Sequence, residues 1–274
     1  MPTTQINETQ LKYIKQGQGD PLVLVHGSWD DHHTWDMIVP DLSQTFQVLT
    51  YDRRGHSQSE RPETQDSIMD DVADLANLIE EVGLAPAHVS GQSFGGSIAL
   101  RLATQRPDLF RSLHVHEPPL LDLLADDPEG QKMLQEIKGR LREVEKRLVA
   151  GDMEDGARHF VETIVFGPGA WAETPPEIRQ ILITNAPTFL NELRDPEAFS
   201  FDLDQLRSFP HPVLLTISAE GLPFSPIIDE KLADVLPEAE QKTFSSADHN
   251  PQTSQPEAYA RTIQNFFTRV TETD

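Results

Sequence analysis

The chain has 274 residues, enough for one large α/β domain with an insertion or for two small domains. It has no cysteine, which excludes disulfide frameworks, thiolate metal sites and cysteine nucleophiles. With 22 basic against 45 acidic residues, the formal net charge of -23 repels phosphate backbones and anionic membrane surfaces, so neither nucleic acid nor membrane is expected as a partner.

The N-terminal stretch MPTTQINETQLKYIKQGQGD has no basic region followed by an apolar core. No window approaches the roughly 18 continuous apolar residues of a membrane span, and a soluble cytoplasmic protein is expected. Pro21 to Gly27 (PLVLVHG) is a short apolar run ended by glycine, which predicts a strand buried on both faces. Phe46 to Asp52 (FQVLTYD) and Ala87 to Gly91 (AHVSG) predict two more. Between these two, Ser67 can cap a helix whose apolar positions Val72, Leu75, Ala76, Ile79 and Val82 recur at helical spacing, with Asp70 and Asp71 in its first turn. Strands alternating with helices predict βαβ units and a parallel sheet.

From about Pro118 to Phe209 strand-like runs are scarce. In MLQEIKGRLREVEKRLVAG, Leu134, Ile137, Leu141, Val144 and Leu148 step by three and four. That stripe allows a homodimer, but two heptads are short, and packing against neighbouring helices is the expectation. Pro168, Pro175, Pro176, Pro187 and Pro196 are expected to break the rest into short pieces. Alternation then returns: HPVLLTIS predicts a strand, SPIIDEKLADVLP a helix, EQKTFSS a strand and PEAYARTIQNFFTRV a closing helix. The expected architecture is an α/β core of residues 1–117 and 210–274, interrupted by a helical cap of residues 118–209.

Within HVSGQSFGGSIAL, the pattern GQSFG fits the G-x-S-x-G nucleophile elbow, with a predicted strand before it and a small-residue helix after it. Glycines at 91 and 95 allow close backbone approach, so the corner presents the Ser93 hydroxyl. A serine needs a base, and a base needs an orienting carboxylate, in the chain order serine, acid, histidine. His249, after the last predicted strand, follows the serine and both acid candidates, whereas His26 is expected to bond backbone. The oxyanion formed on acyl attack needs backbone N–H donors, expected from Phe94 and from Ser28 in the loop VHGSWDDHHTW. Trp29, next in that loop, is expected to contact substrate. His32 and His33 are adjacent in one loop and make a poor ligand pair without a third partner, so no metal is expected.

The segments LVLVHGSW, YDRRGHSQSE and VSGQSFGGSIALRLATQRPDLF, with the late histidine, resemble the α/β-hydrolase superfamily. The likeness is to its capped esterases, lactonases, cofactor-free haloperoxidases and carbon–carbon bond hydrolases, and covers Leu22 to Pro119 and Pro212 to Phe267. It implies an α/β-hydrolase fold, no cofactor, and an oxyanion hole at Ser28 and Phe94. Many members carry an aspartate after the penultimate strand, where this sequence has Gly221 with Glu220 beside it. Haloalkane dehalogenase relatives use a glutamate at the place of Glu117. Glu117 is the preferred acid, Glu220 the alternative, and Pro118-Pro119 are expected to hold Glu117 extended. Alkylation of a serine would leave an inert ether, so Ser93 points to acyl transfer. The expected function is hydrolysis of a small to medium, largely apolar ester or lactone. The alternatives are a small-molecule receptor in signalling and a perhydrolase or lyase. Phe166, Trp171, Phe189, Phe199 and Phe201 are available to line the cap.

Overall fold

The computed structural model describes residues 2–62 and 67–272. Their strands form one sheet. Two antiparallel strands, β1 (Thr3–Ile6) and β2 (Thr9–Gln16), lead into β3 (Asp20–Val25), β4 (Phe46–Tyr51), β5 (Ala87–Gln92), β6 (Phe110–His116), β7 (Val213–Ser218) and β8 (Glu240–Phe244). The spatial order is β1-β2-β4-β3-β5-β6-β7-β8, and all pairs from β4 through β8 are parallel. The apolar runs become these central strands because helices cover both faces.

On one face lie α1 (Ile68–Glu81) and α2 (Phe94–Gln105). Ser67 caps α1 by accepting from the Met69 amide at 3.2 Å, as its position predicts. The longer helices of the stretch between β6 and β7 are α3 (Pro128–Val149), α4 (Met153–Phe160) and α5 (Pro176–Arg194). After β7, α6 (Ser225–Val235) returns to the face of α1, and α7 (Pro256–Thr271) packs on the opposite face against Leu22, Leu24, Phe46 and Val48.

The stripe on α3 is used within the chain. Leu134 and Ile137 pack on the main core, while Val144 and Leu148 join an apolar cluster with Trp171, Ala186 and Phe189 of the insert. One helix therefore ties the insert to the sheet. The expectation that the prolines fragment this region fails at Pro187, because α5 runs on through it. Proline forfeits one backbone bond there. Contacts on both sides offset that loss: Ala186 and Phe189 are buried, and the Asn185 carbonyl accepts the Thr188 hydroxyl at 2.6 Å.

Candidate active site

At the C-terminal ends of the parallel strands, Ser93 turns the chain from β5 into α2 with φ 53° and ψ -125°. A non-glycine residue at positive φ stores strain of about 1–3 kcal/mol that its surroundings must hold. They do so by close approach. A Cβ on Gly95 would lie 2.2 Å from the Val25 carbonyl oxygen, and one on Gly91 would lie 2.4 Å from that of Gly95. Glycine is required at both. The Ser93 amide donates to the His116 carbonyl at 2.8 Å, which sets the corner beside the end of β6.

Glu117 follows directly. Its φ of 43° is left-handed rather than extended, against the expectation from Pro118-Pro119. Tertiary bonds override the local preference. One carboxylate oxygen accepts from the Ser218 amide at 2.9 Å; the other accepts from Leu222 N at 3.3 Å and from His249 Nδ1 at 2.7 Å. Burial pushes this carboxyl up, but the His249 bond and the nearby imidazole and amide dipoles outweigh it and hold its pKa below the ordinary value. Glu220 instead lies exposed in a turn, its amide bonded to the Ala247 carbonyl. Gly221 is explained by Glu117: a Cβ there would sit 2.1 Å from Glu117 Oε1.

With Nδ1–H donated to an ionised carboxylate, His249 Nε2 is left as an acceptor. The Gln92 amide donates toward it at 3.2 Å and also reaches the His249 carbonyl and Asn250 Oδ1. Ser93 and His249 line the same two cavities. Ser28 does so too, and a Cβ on Gly27 would come within 3.0 Å of Ser93 Cβ, so this loop lies against the serine. Phe94 opens α2, where the N–H has no carbonyl four residues back inside the helix. His26 bonds backbone through both ring nitrogens, to Gly27 O and Arg53 N, and burial pushes its pKa down to about 3.

Behind the loop stands a buried pair that sequence reasoning missed. Glu192 of α5 accepts from Ser28 Oγ at 2.5 Å and from Arg53 Nη2 at 2.7 Å. The Arg53 guanidinium lies 4.9 Å from the Phe94 ring centroid. The same face of α5 supplies Asn185, which donates to the Trp29 and Asp30 carbonyls, and Thr188, which meets His56. Residues 185, 188 and 192 share a helix face by spacing. No sequence signal links Glu192 to Ser28, 164 positions away.

One cavity is apolar, lined by Leu121, Ile137, Leu141, Phe189, Phe199 and Phe224 among others. The other carries Trp29, Asp30, Gln92, Thr174, Ile178 and Asn250, with Phe166. Trp29, at φ 69° and 1% exposed, also stacks on Phe160 at 5.1 Å between ring centroids and anchors the insert's apolar cluster. Trp171 and Phe201 are turned away, each beside an arginine.

Among the described residues two groups could offer ligand atoms to a metal. In Asp31, His32 and His33 these atoms lie within 4.8 Å of one another, but His32 Nδ1 is bonded to Asp52, His33 Nδ1 to Asp36, and the Asp31 carboxylate to Ser57 and the His33 amide. The second group is His116 with Glu117 and His249 themselves.

A parallel sheet bearing a strained serine corner, with a carboxylate–histidine pair at its C-terminal edge, is the architecture of an α/β hydrolase. The family model for the alpha/beta hydrolase fold matches residues 20–256, and the chain belongs to that family. Its curated relatives include an uncharacterized hydrolase, YraK, of Bacillus subtilis (strain 168), 30% identical over 146 residues, or 50% of this chain and 52% of that one. A soluble epoxide hydrolase of Corynebacterium sp. (strain C12) is 33% identical over 110 residues, 40% of this chain and 38% of that one. The chain thus matches about half or less of the length of these relatives. Among solved structures, the enol-lactonase of Burkholderia xenovorans LB400 superposes with a TM-score of 0.80 at 21% identity, covering 97% of this chain and 100% of that one, which establishes the fold. Among the described residues no helix is long and apolar enough to cross a membrane.

Proposed function

We propose that the protein is a serine hydrolase that cleaves a carboxylic ester or lactone through an acyl-enzyme. The observation that carries this reading is the Glu117–His249 bond of 2.7 Å on a cavity shared with Ser93. His249 Nε2 takes the Ser93 proton as Oγ attacks the acyl carbon. The charge that forms on the carbonyl oxygen is met by the Ser28 and Phe94 amides, and His249 returns the proton to the leaving alkoxide. Water, deprotonated by the same imidazole, then releases the acid and frees Ser93.

One relative is an epoxide hydrolase, yet opening an epoxide with a serine would leave an ether that water does not cleave. A serine at position 93 favours acyl chemistry. The insert acts as the cap, and its apolar lining suits a largely apolar arm of the substrate.

The test is treatment with a fluorophosphonate and measurement of intact mass. Single labelling of the wild type, absent in Ser93→Ala and His249→Ala, is expected. A folded wild type that takes no label overturns the reading and favours the receptor alternative.

A further inference from the structure

The apolar cavity explains one arm of a substrate; the second cavity contains a group the acyl-transfer chemistry does not use. Asp30 lines it together with Ser93, Gln92, His249 and Asn250. Its backbone is fixed: Asn185 Nδ2 donates to the Asp30 carbonyl at 2.9 Å, and the next residue, Asp31, caps the following turn by accepting from the His33 amide. Its side chain is not engaged. Among the described residues the Asp30 carboxylate has no hydrogen-bond partner, although the residue is half-buried.

The charged groups that act on it leave it uncompensated. Asp31 is a like charge, itself bonded to Ser57 Oγ. Arg53 is the cation whose field reaches Asp30, and its Nη2 is bonded to Glu192 at 2.7 Å and to His56 at 2.9 Å. His249 acts on it across the cavity and is bonded to Glu117. Burial, with the Asp31 charge, pushes the Asp30 carboxyl up to about 7. A carboxylate without a hydrogen-bond partner among the described residues, in a cavity it shares with Trp29, Phe160 and Ile178, calls for a ligand group that satisfies it. The net charge of -23 disfavours an anion there.

We infer that Asp30 is a specificity-determining residue that receives a protonated amine on one arm of the substrate, so that the enzyme prefers amino esters with an apolar opposite arm. This rests on the serine-hydrolase reading and names its substrate class. The ammonium donates to the Asp30 carboxylate while the apolar arm occupies the lobe beneath Leu121 and Phe224, which places the scissile carbonyl at Ser93. A charge-assisted bond of this kind is worth about tenfold in selectivity.

The experiment compares matched esters in which N–H⁺ replaces C–H: (dimethylamino)propyl hexanoate against isohexyl hexanoate, and hexyl (dimethylamino)butyrate against hexyl isoheptanoate. The pairs place the amine on the alcohol arm or on the acyl arm. In the wild type the ratio of kcat/KM within at least one pair is expected to favour the amine about tenfold, and Asp30→Asn is expected to bring that ratio to near unity. No preference in the wild type, or a preference that survives in Asp30→Asn, overturns the inference. Calorimetric Kd values for the same pairs on Ser93→Ala, with and without Asp30→Asn, read the preference in the absence of turnover. If no ester is hydrolysed, the hydrolytic reading fails and the amino-ester preference fails with it, and tighter binding of the amine through Asp30 then shows an amine-binding pocket instead; esters hydrolysed without an amine preference overturn this inference alone.

Discussion

Glu117 and Gly221 show how two positions, distant in the chain, exchange one function. The carboxylate that could have come from the turn after β7 comes from the end of β6, and the space it fills is space that a side chain at 221 would need. Replacing Glu117 by Gln keeps the shape and removes the charge that stabilises an imidazolium. The expected loss in kcat/KM is at least about 100-fold. Glu220→Gln, on an exposed turn, is expected to leave ester turnover near wild type, and the reverse pattern would transfer the acid role. Ser93 and His249 stand out in the sequence because the elbow has local turn chemistry and the histidine follows the last strand, and the structure sets both on the same cavities. The choice between Glu117 and Glu220 was only a preference, since both lie near strand ends and only the direction of each side chain decides between them. Trp29 was legible as a loop residue near the site, whereas its burial in the insert's cluster was not.

At the scale of elements, α5 does more than cover the site. Its buried polar face, Asn185, Thr188 and Glu192, is bonded to the loop that carries Ser28 and to the turn around Arg53 and His56. Burial holds the Glu192 pKa above the ordinary value despite the Arg53 partner, so the pair is sensitive to any change in charge. Glu192→Gln is expected to lower kcat about tenfold while KM moves less than twofold, because the change reaches the Ser28 loop proposed to hold the oxyanion and not the apolar lining. Steady-state kinetics on a short ester measure this; a loss confined to KM would assign Glu192 to substrate binding instead. The insert's helical character was legible from spacing. Its grip on the loop that carries Ser28 was not, because a polar stripe at helical spacing looks like an ordinary solvated face until its partner is in place.

For the whole molecule, buried carboxylates and buried histidines pull the response to pH in opposite directions. Glu192 stands above the ordinary range, as do Asp30 at about 7 and Asp71 and Asp229 at about 6, in each case chiefly through burial. Between the unfolded value near 4 and these raised values the folded chain binds protons that the unfolded chain releases, so stability falls as pH rises through that window. Asp52 and Glu117 are held low, and their contribution is lost only as pH falls below about 4. The buried His26, His56, His114 and His116, held below the ordinary imidazole value chiefly by burial, act in the opposite sense, because below about pH 6.5 the unfolded chain binds protons that they refuse; Tm is therefore expected to change little between pH 5.5 and pH 8, while added salt raises it by screening the net charge of -23. A thermal melt series across pH measures this, and a Tm that moves steadily in one direction from about pH 5.5 to pH 8 would contradict it. What the sequence by itself determined was the sheet, the helical insert and the order of serine, acid and histidine, since hydrophobic period and turn chemistry act between neighbours a few residues apart. Only the tertiary structure decided which glutamate meets His249, why position 221 is glycine, and how Glu192 reaches Ser28, because these depend on side chains brought together from more than a hundred residues apart, whose directions no local pattern encodes.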